Sequence, residues 1–149
     1  MNRAAAALCA LALLAGPARL ARADEAAPAL GPLLAGNTVS AVMFLPHDAP
    51  KGGGSLERVM FQAYLRTDGS ALIRRWDAAR DAYTVPAEGR WSASASTLCL
   101  DFPGFGAAPR VCVEAHVWGP RIAGNTVGEG RFALLDGDIA PGNAIIAAR

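Results

Sequence analysis

The chain has 149 residues, with 14 Lys+Arg, 13 Asp+Glu, 16 Gly, 10 Pro and 3 Cys, which bounds it at one ordinary domain. The near-neutral balance argues against a dedicated nucleic-acid binder, which carries a clear basic excess. The charges also do not gather into runs that would mark a disordered tail.

Met1-Asn2-Arg3 leads into an Ala/Leu-rich run from Ala4 to Gly16, followed by Ala21-Arg22-Ala23 and then Asp24-Glu25. One positive charge, an apolar run too short to span a bilayer and a small-x-small site together predict an export signal over residues 1–23. The alternative is a short anchor that stays in place. Cys9 inside this stretch follows Leu8, which breaks the small residue that a lipoprotein site needs. Losing Arg3, Arg19 and Arg22 leaves 11 basic and 13 acidic residues, a formal charge of −2. Two cysteines remain, Cys99 and Cys112. In an exported chain they are most simply one disulfide, and the predicted compartment is periplasmic or extracellular.

Residues 24–35 form an Ala/Pro/Leu-rich lead-in, loose or briefly helical. Thr38 to Leu45 is apolar and β-branched between Gly36-Asn37 and Pro46, and reads as a strand. His47 to Ser55 holds Gly52-Gly53-Gly54 and reads as a loop. It is not a phosphate loop, because Lys51 precedes the glycines. From Arg58 to Leu65 the chain alternates, with Val59, Phe61, Ala63 and Leu65 on one face. Asp68-Gly69 follows as a hairpin turn, and Ala71 to Trp76 returns. A polar excursion around Tyr83 precedes a strand opened by Gly89-Arg90-Trp91. Thr97 to Phe102 and Arg110 to Trp118 make the next pair. Arg121 to Ala123 is a short strand before a Gly124-Asn125 turn, and Arg131 to Leu135 ends at Asp136-Gly137. Short strands with Gly-rich turns predict an all-β fold, a small antiparallel barrel or barrel-like sandwich of about eight strands. It occupies residues 36–143, with a C-terminal tail at 144–149.

Placing Cys99 opposite Cys112 sets Leu98 against Val113 and Leu100 against Val111 on one face. The other face then pairs Asp101 with Arg110 and Thr97 with Glu114, so a single register satisfies every pair. Taking Asp68-Gly69 as a two-residue turn sets Phe61 against Trp76 and Ala63 against Arg74. Arg74 then points inward beside two aromatics, where it could clamp an anionic ligand. A longer turn or a bulge would face it outward. Leu34-Ala-Gly-Asn-Thr-Val39 nearly recurs as Ile122-Ala-Gly-Asn-Thr-Val127, read as two turns that each launch a strand.

Glu114 and His116 share a strand face, with Asp101 on the same ladder, but a metal site needs a further His or Cys that the chain does not offer. Trp76, Trp91 and Trp118 read as core and rim residues rather than a sugar platform. Gly53-Gly54-Ser55-Leu56-Glu57 lacks the closing glycine of a nucleophile elbow. No catalytic residue, metal or cofactor is assigned.

Gly89-x-Trp91 is similar to the Gly-x-Trp of lipocalins, although there it lies in the first barrel strand. A wider set of markers is Gly36-Asn37-Thr38, Tyr64 before Asp68-Gly69, Gly89-x-Trp91, Leu98-Cys99, Cys112 and Pro141-Gly142-Asn143. In that order they resemble a family of small exported proteobacterial proteins catalogued as a domain of unknown function. The resemblance runs from Leu33 to Asn143 and implies a periplasmic β-rich domain with no established activity. The sequence therefore predicts a binding module whose ligand site, if internal, lies near Arg74, Trp76 and Phe61. Its partner would be a small ligand or a periplasmic protein, not nucleic acid, with no membrane span once the signal is removed. An inhibitor of a protease or lysozyme is the alternative, by fold analogy, and an enzyme is third.

Overall fold

The computed structural model describes residues 29–47, 55–102, 110–126 and 134–147. The predicted signal, the Lys51-Gly54 stretch and the strand start at Arg131 lie outside these residues. The described elements are α1 (Leu30–Leu34), β1 (Asn37–His47), β2 (Ser55–Leu65), β3 (Ser70–Asp77), β4 (Ala82–Tyr83), β5 (Ala87–Ala93), β6 (Thr97–Asp101), β7 (Arg110–Trp118), β8 (Arg121–Thr126), β9 (Leu134–Pro141) and α2 (Ala144–Ala147).

All strand pairings are antiparallel. β4 aside, each strand pairs with its neighbour along the chain, and β9 returns to β1. Eight strands thus close an up-and-down barrel, as the sequence predicted, and β4 adds a short flap to β3. Closure leaves few open edges. An eight-stranded barrel is just wide enough for its inward side chains to fill it. Here Val39 and Met43, Phe61 and Leu65, Ile73, Trp91, Leu98 and Leu100, Val113, Ile122 and Leu135 meet in one buried cluster. Phe61 and Phe102 stack at a tilt across it, 6.1 Å between centroids. Thr38 is the one polar residue that is buried among the described residues.

Alternation explains most strands, but a predicted turn and a predicted strand end both lie within strands. Gly124-Asn125 lies within β8 and Asp136-Gly137 within β9. Both glycines face inward where strands crowd. A Cβ on Gly137 would stand 2.5 Å from Ala41 Cβ and from the Ser40 carbonyl oxygen. Glycine is used here for close approach, not for chain reversal. A Gly-x dipeptide read only for turn propensity gives the wrong answer at such a place.

One end of the barrel is covered by α1. Leu30 and Leu34 lie one turn apart on the same helix face and are both buried in the barrel end. That burial holds so short a helix, which has no side-chain cap. Around it the first and last parts of the domain are knotted together by hydrogen bonds. Asn37 Nδ2 donates to the Leu33 carbonyl at 2.9 Å, and Gly142 N donates to Asn37 Oδ1 at 3.3 Å. Thr38 Oγ1 donates to the Gly142 carbonyl at 2.7 Å and accepts from Ala144 N at 3.0 Å. Asn143 Oδ1 caps α2 by accepting from Ile145 N at 3.1 Å. At the same end Trp91 Nε1 donates to the Arg66 carbonyl at 2.8 Å and Trp91 N to the Gly69 carbonyl at 2.9 Å. The Gly-Asn-Thr, Asp-Gly, Gly-x-Trp and Pro-Gly-Asn markers are therefore joints of one structural seam.

Cys99 and Cys112 are bonded across β6 and β7 in the predicted register. Asp101 stands opposite Arg110, also as predicted, yet the two do not form an ion pair among those seen in the described residues. No helix among the described residues is long and apolar enough to cross a membrane.

Candidate functional site

The β2–β3 turn decides where Arg74 goes. It is one residue longer than the two-residue turn that Asp68-Gly69 suggests. Arg66 N donates to the Ser70 carbonyl at 2.9 Å, and Gly69 N to the Arg66 carbonyl at 3.2 Å, enclosing Thr67, Asp68 and Gly69. Gly69 takes φ +82°, the left-handed value that closes such a three-residue loop. The Asp68 carboxylate accepts from Ser70 N at 2.9 Å and from Ser70 Oγ at 2.7 Å. Ala63 consequently faces Ile73, Gln62 faces Arg74 and Phe61 faces Arg75.

A shift of one residue exchanges the two faces of a strand. The inward placement of Arg74 is corrected: Arg74 and Trp76 lie on the outer wall and Phe61 in the core. The three residues do not converge on one internal site. Instead, Arg74 belongs to an external cluster built by the β3–β4 hairpin. Asp81, at φ +51°, turns that hairpin, and Asp77 Oδ1 accepts from Ala79 N at 3.0 Å within it. The reversal sets Tyr83 beside Trp76, edge to face, with ring centroids 5.2 Å apart. The Arg74 guanidinium lies over the Tyr83 ring, 4.7 Å from its centroid. Its Nε and Nη2 donate to Gln62 Oε1 at 2.9 and 2.7 Å. Gln62 Nε2 donates in turn to Ser40 Oγ at 3.1 Å.

The guanidinium is thus held in one orientation by an aromatic face and a neutral amide. None of the ion pairs among the described residues involves it. A fixed, half-buried cation without a carboxylate partner among the described residues is suited to a carboxylate or phosphate from outside. Gln62 and Tyr83 were missed as partners because both depend on the register and on the hairpin. Once the three-residue loop is known, Gln62 follows from simple counting.

No family model matches the chain, and no curated protein is similar to it. Inference of function therefore rests on the molecule itself.

Glu114, His116 and Asp101 are all exposed on the outer wall. No group of three His, Cys, Asp or Glu side chains among the described residues could hold a metal. Of the three tryptophans, Trp91 belongs to the core and Trp76 to the external cluster. Trp118 was read as core or rim; it is 53 % exposed at the β7–β8 turn.

Proposed function

We propose that the protein is an exported binding module of the bacterial envelope that meets its partner on the outer wall of the barrel, around Arg74, Trp76 and Tyr83. The observation that carries this reading is the Arg74 guanidinium, fixed over Tyr83 and against Gln62 on an outward surface. Arg, Trp and Tyr are the residue types that concentrate binding energy at protein interfaces. The partner group is an acidic side chain or terminus of an envelope protein, which would pair bidentately with the free edge of the guanidinium. The apolar side chains clustered inside the barrel support an external mode of binding over a polar ligand in the lumen. The disulfide and the signal-like first 23 residues support export. Membership of the exported family of unknown function is part of the same proposal. Its markers fall on structural joints, so they support the fold and compartment and leave the partner to the surface.

The test is capture from periplasmic extract with the secreted form, whose intact mass should place its first residue near Asp24. Wild type should retain an envelope protein that Arg74→Glu and Trp76→Ala both lose, with thermal unfolding of the variants unchanged. Unaltered capture by Arg74→Glu, or a small molecule found within the barrel by native mass spectrometry, would overturn the reading. The inhibitor alternative uses the same exterior mode. A lysozyme or secreted protease slowed by wild type and not by Arg74→Glu would name the partner.

A further inference from the structure

A second outward surface, separate from Arg74, lies on β7, β8 and β9 near the α1 end. Two rows of register partners define it. Trp118, Arg121 and Asp138 form one row, and His116, Ala123 and Asp136 the other. Their neighbours Ala115, Ile122, Leu135 and Gly137 are buried in the barrel, so strand alternation turns these six residues outward. Ala123 is the smallest of them and sits between His116 and Asp136. Its single methyl group makes it the low point of this surface, a trough whose flanking strands β7 and β9 lie two strand spacings, about 10 Å, apart. Trp118 and His116 stand on one side, the two carboxylates on the other, and Arg121 lies beside the floor.

The polar groups of the trough are fixed yet incompletely used. Arg121 Nη2 donates to Asp136 Oδ1 at 2.6 Å and Nη1 contacts Asp138 Oδ1 at 3.4 Å. One guanidinium therefore orients two carboxylates, and among the described residues Oδ2 of each accepts no hydrogen bond. Trp118 is 53 % exposed, and its indole N–H donates to none of the described residues. Its backbone is held nonetheless. Gly119 takes φ +58° in the turn, and the Pro120 carbonyl accepts from Ile139 N at 2.6 Å. An exposed indole on β7 thus shares a row with Arg121 and with the Asp138 carboxylate that Arg121 orients.

We infer that this trough binds one or two sugar units of a neutral glycan. A pyranose offers an apolar face for an indole and an equatorial rim of hydroxyls for planar carboxylates, and this surface presents both partners together. Charge narrows the ligand class further. The two carboxylates repel an anion. Arg121 already neutralises part of their charge and repels a cation that would otherwise bridge them. A neutral, hydroxyl-rich molecule is disfavoured by neither, and its hydroxyls can donate to the two unused oxygens. The site does not depend on Arg74, so it stands or falls independently of the protein partner proposed above.

The test uses the full exported chain, with the tetramers of β-1,4-linked N-acetylglucosamine and of β-1,4-linked glucose as probes. Trp118 is the most exposed of the three tryptophans, so binding should give a saturable blue shift of emission. Trp118→Ala should abolish the shift, and by calorimetry lower the affinity by roughly tenfold or more, the scale of about 1.4 kcal/mol. Asp138→Ala should weaken binding without changing the emission of the free protein. Trp76→Phe should leave binding intact and keeps the assay interpretable if Trp118→Ala loses stability. Absence of any shift or heat with both tetramers at millimolar concentration would overturn the inference. So would binding that survives Trp118→Ala, or a shift given by a lysine oligomer and not by the sugars.

Discussion

Asp68 accepts hydrogen bonds from the Ser70 hydroxyl and from the Ser70 backbone N–H. Both favour its charged form, the hydroxyl most, and the neighbouring Arg66 guanidinium adds to them. Its carboxyl group is therefore held below the ordinary value of 3.8. A depressed folded-state value means that the turn's contribution is complete above 3.8 and is lost as the pH falls through the lower, folded-state value. Stability should consequently rise with pH across that acid window. Asp68→Asn should flatten the slope. Denaturant unfolding at a series of acid pH values checks both, and an Asp68 carboxyl titrating at or above its ordinary value by NMR would contradict the assignment. The same residue helps to set the register that faces Arg74 outward. A local hydrogen bond thus reaches the candidate site through the geometry of the strand.

The β6–β7 hairpin shows how an element can carry its own proof of register. Leu98–Val113 and Leu100–Val111 point into the core, while Cys99–Cys112 lies on the outer face between Asp101–Arg110 and Thr97–Glu114. The bond closes a segment of 13 residues in sequence separation. Replacing both cysteines with Ser should lower the unfolding free energy by about 2–5 kcal/mol. The barrel signature in far-ultraviolet circular dichroism should persist, because no inward side chain is altered. Urea denaturation of the double variant measures the loss. A stability equal to that of wild type would show that the hairpin is held by its core pairs alone. The β2–β3 hairpin has weaker internal guidance. Its inward residues are apolar in either register over much of its length, and only the turn separates Gln62 from Ala63 as the partner of Arg74.

At the scale of the molecule, the barrel is closed by contacts between the beginning and end of the described chain. β1 pairs with β9, Thr38 binds Gly142 and Ala144, and α1 covers the end they share. Leu34 is fully buried there. Leu34→Ala should cost about 2–5 kcal/mol, since the cavity opens against strands that cannot collapse into it. Amide hydrogen exchange offers a local readout. Protection should fall first at Thr38, Val39, Ile139 and Ala140 along the β1–β9 seam. Loss confined to α1 would mean that the helix is an appendage to a barrel already complete.

Much of this architecture was written locally. Alternating apolar residues placed most of the strands, and the cysteines with their flanking pairs fixed one hairpin, because period-two patterning and cross-strand pairing act over a few residues. Arg74 was not legible in the same way: one extra residue in a turn reverses a whole face, and the surrounding pattern tolerated both registers. The paired hexapeptides show the division most plainly. At Leu34 the Ala-Gly-Asn-Thr sequence makes a turn, with Gly36 at φ +79°, and launches β1. At Ile122 the same four residues run straight through β8, where a Cβ on residue 124 would stand 2.5 Å from the Glu114 carbonyl oxygen. Gly-Asn permits a turn and also permits close approach. Which is realised depends on what lies opposite: α1 and the Gly142–Ala144 segment at the first copy, and two flanking strands at the second.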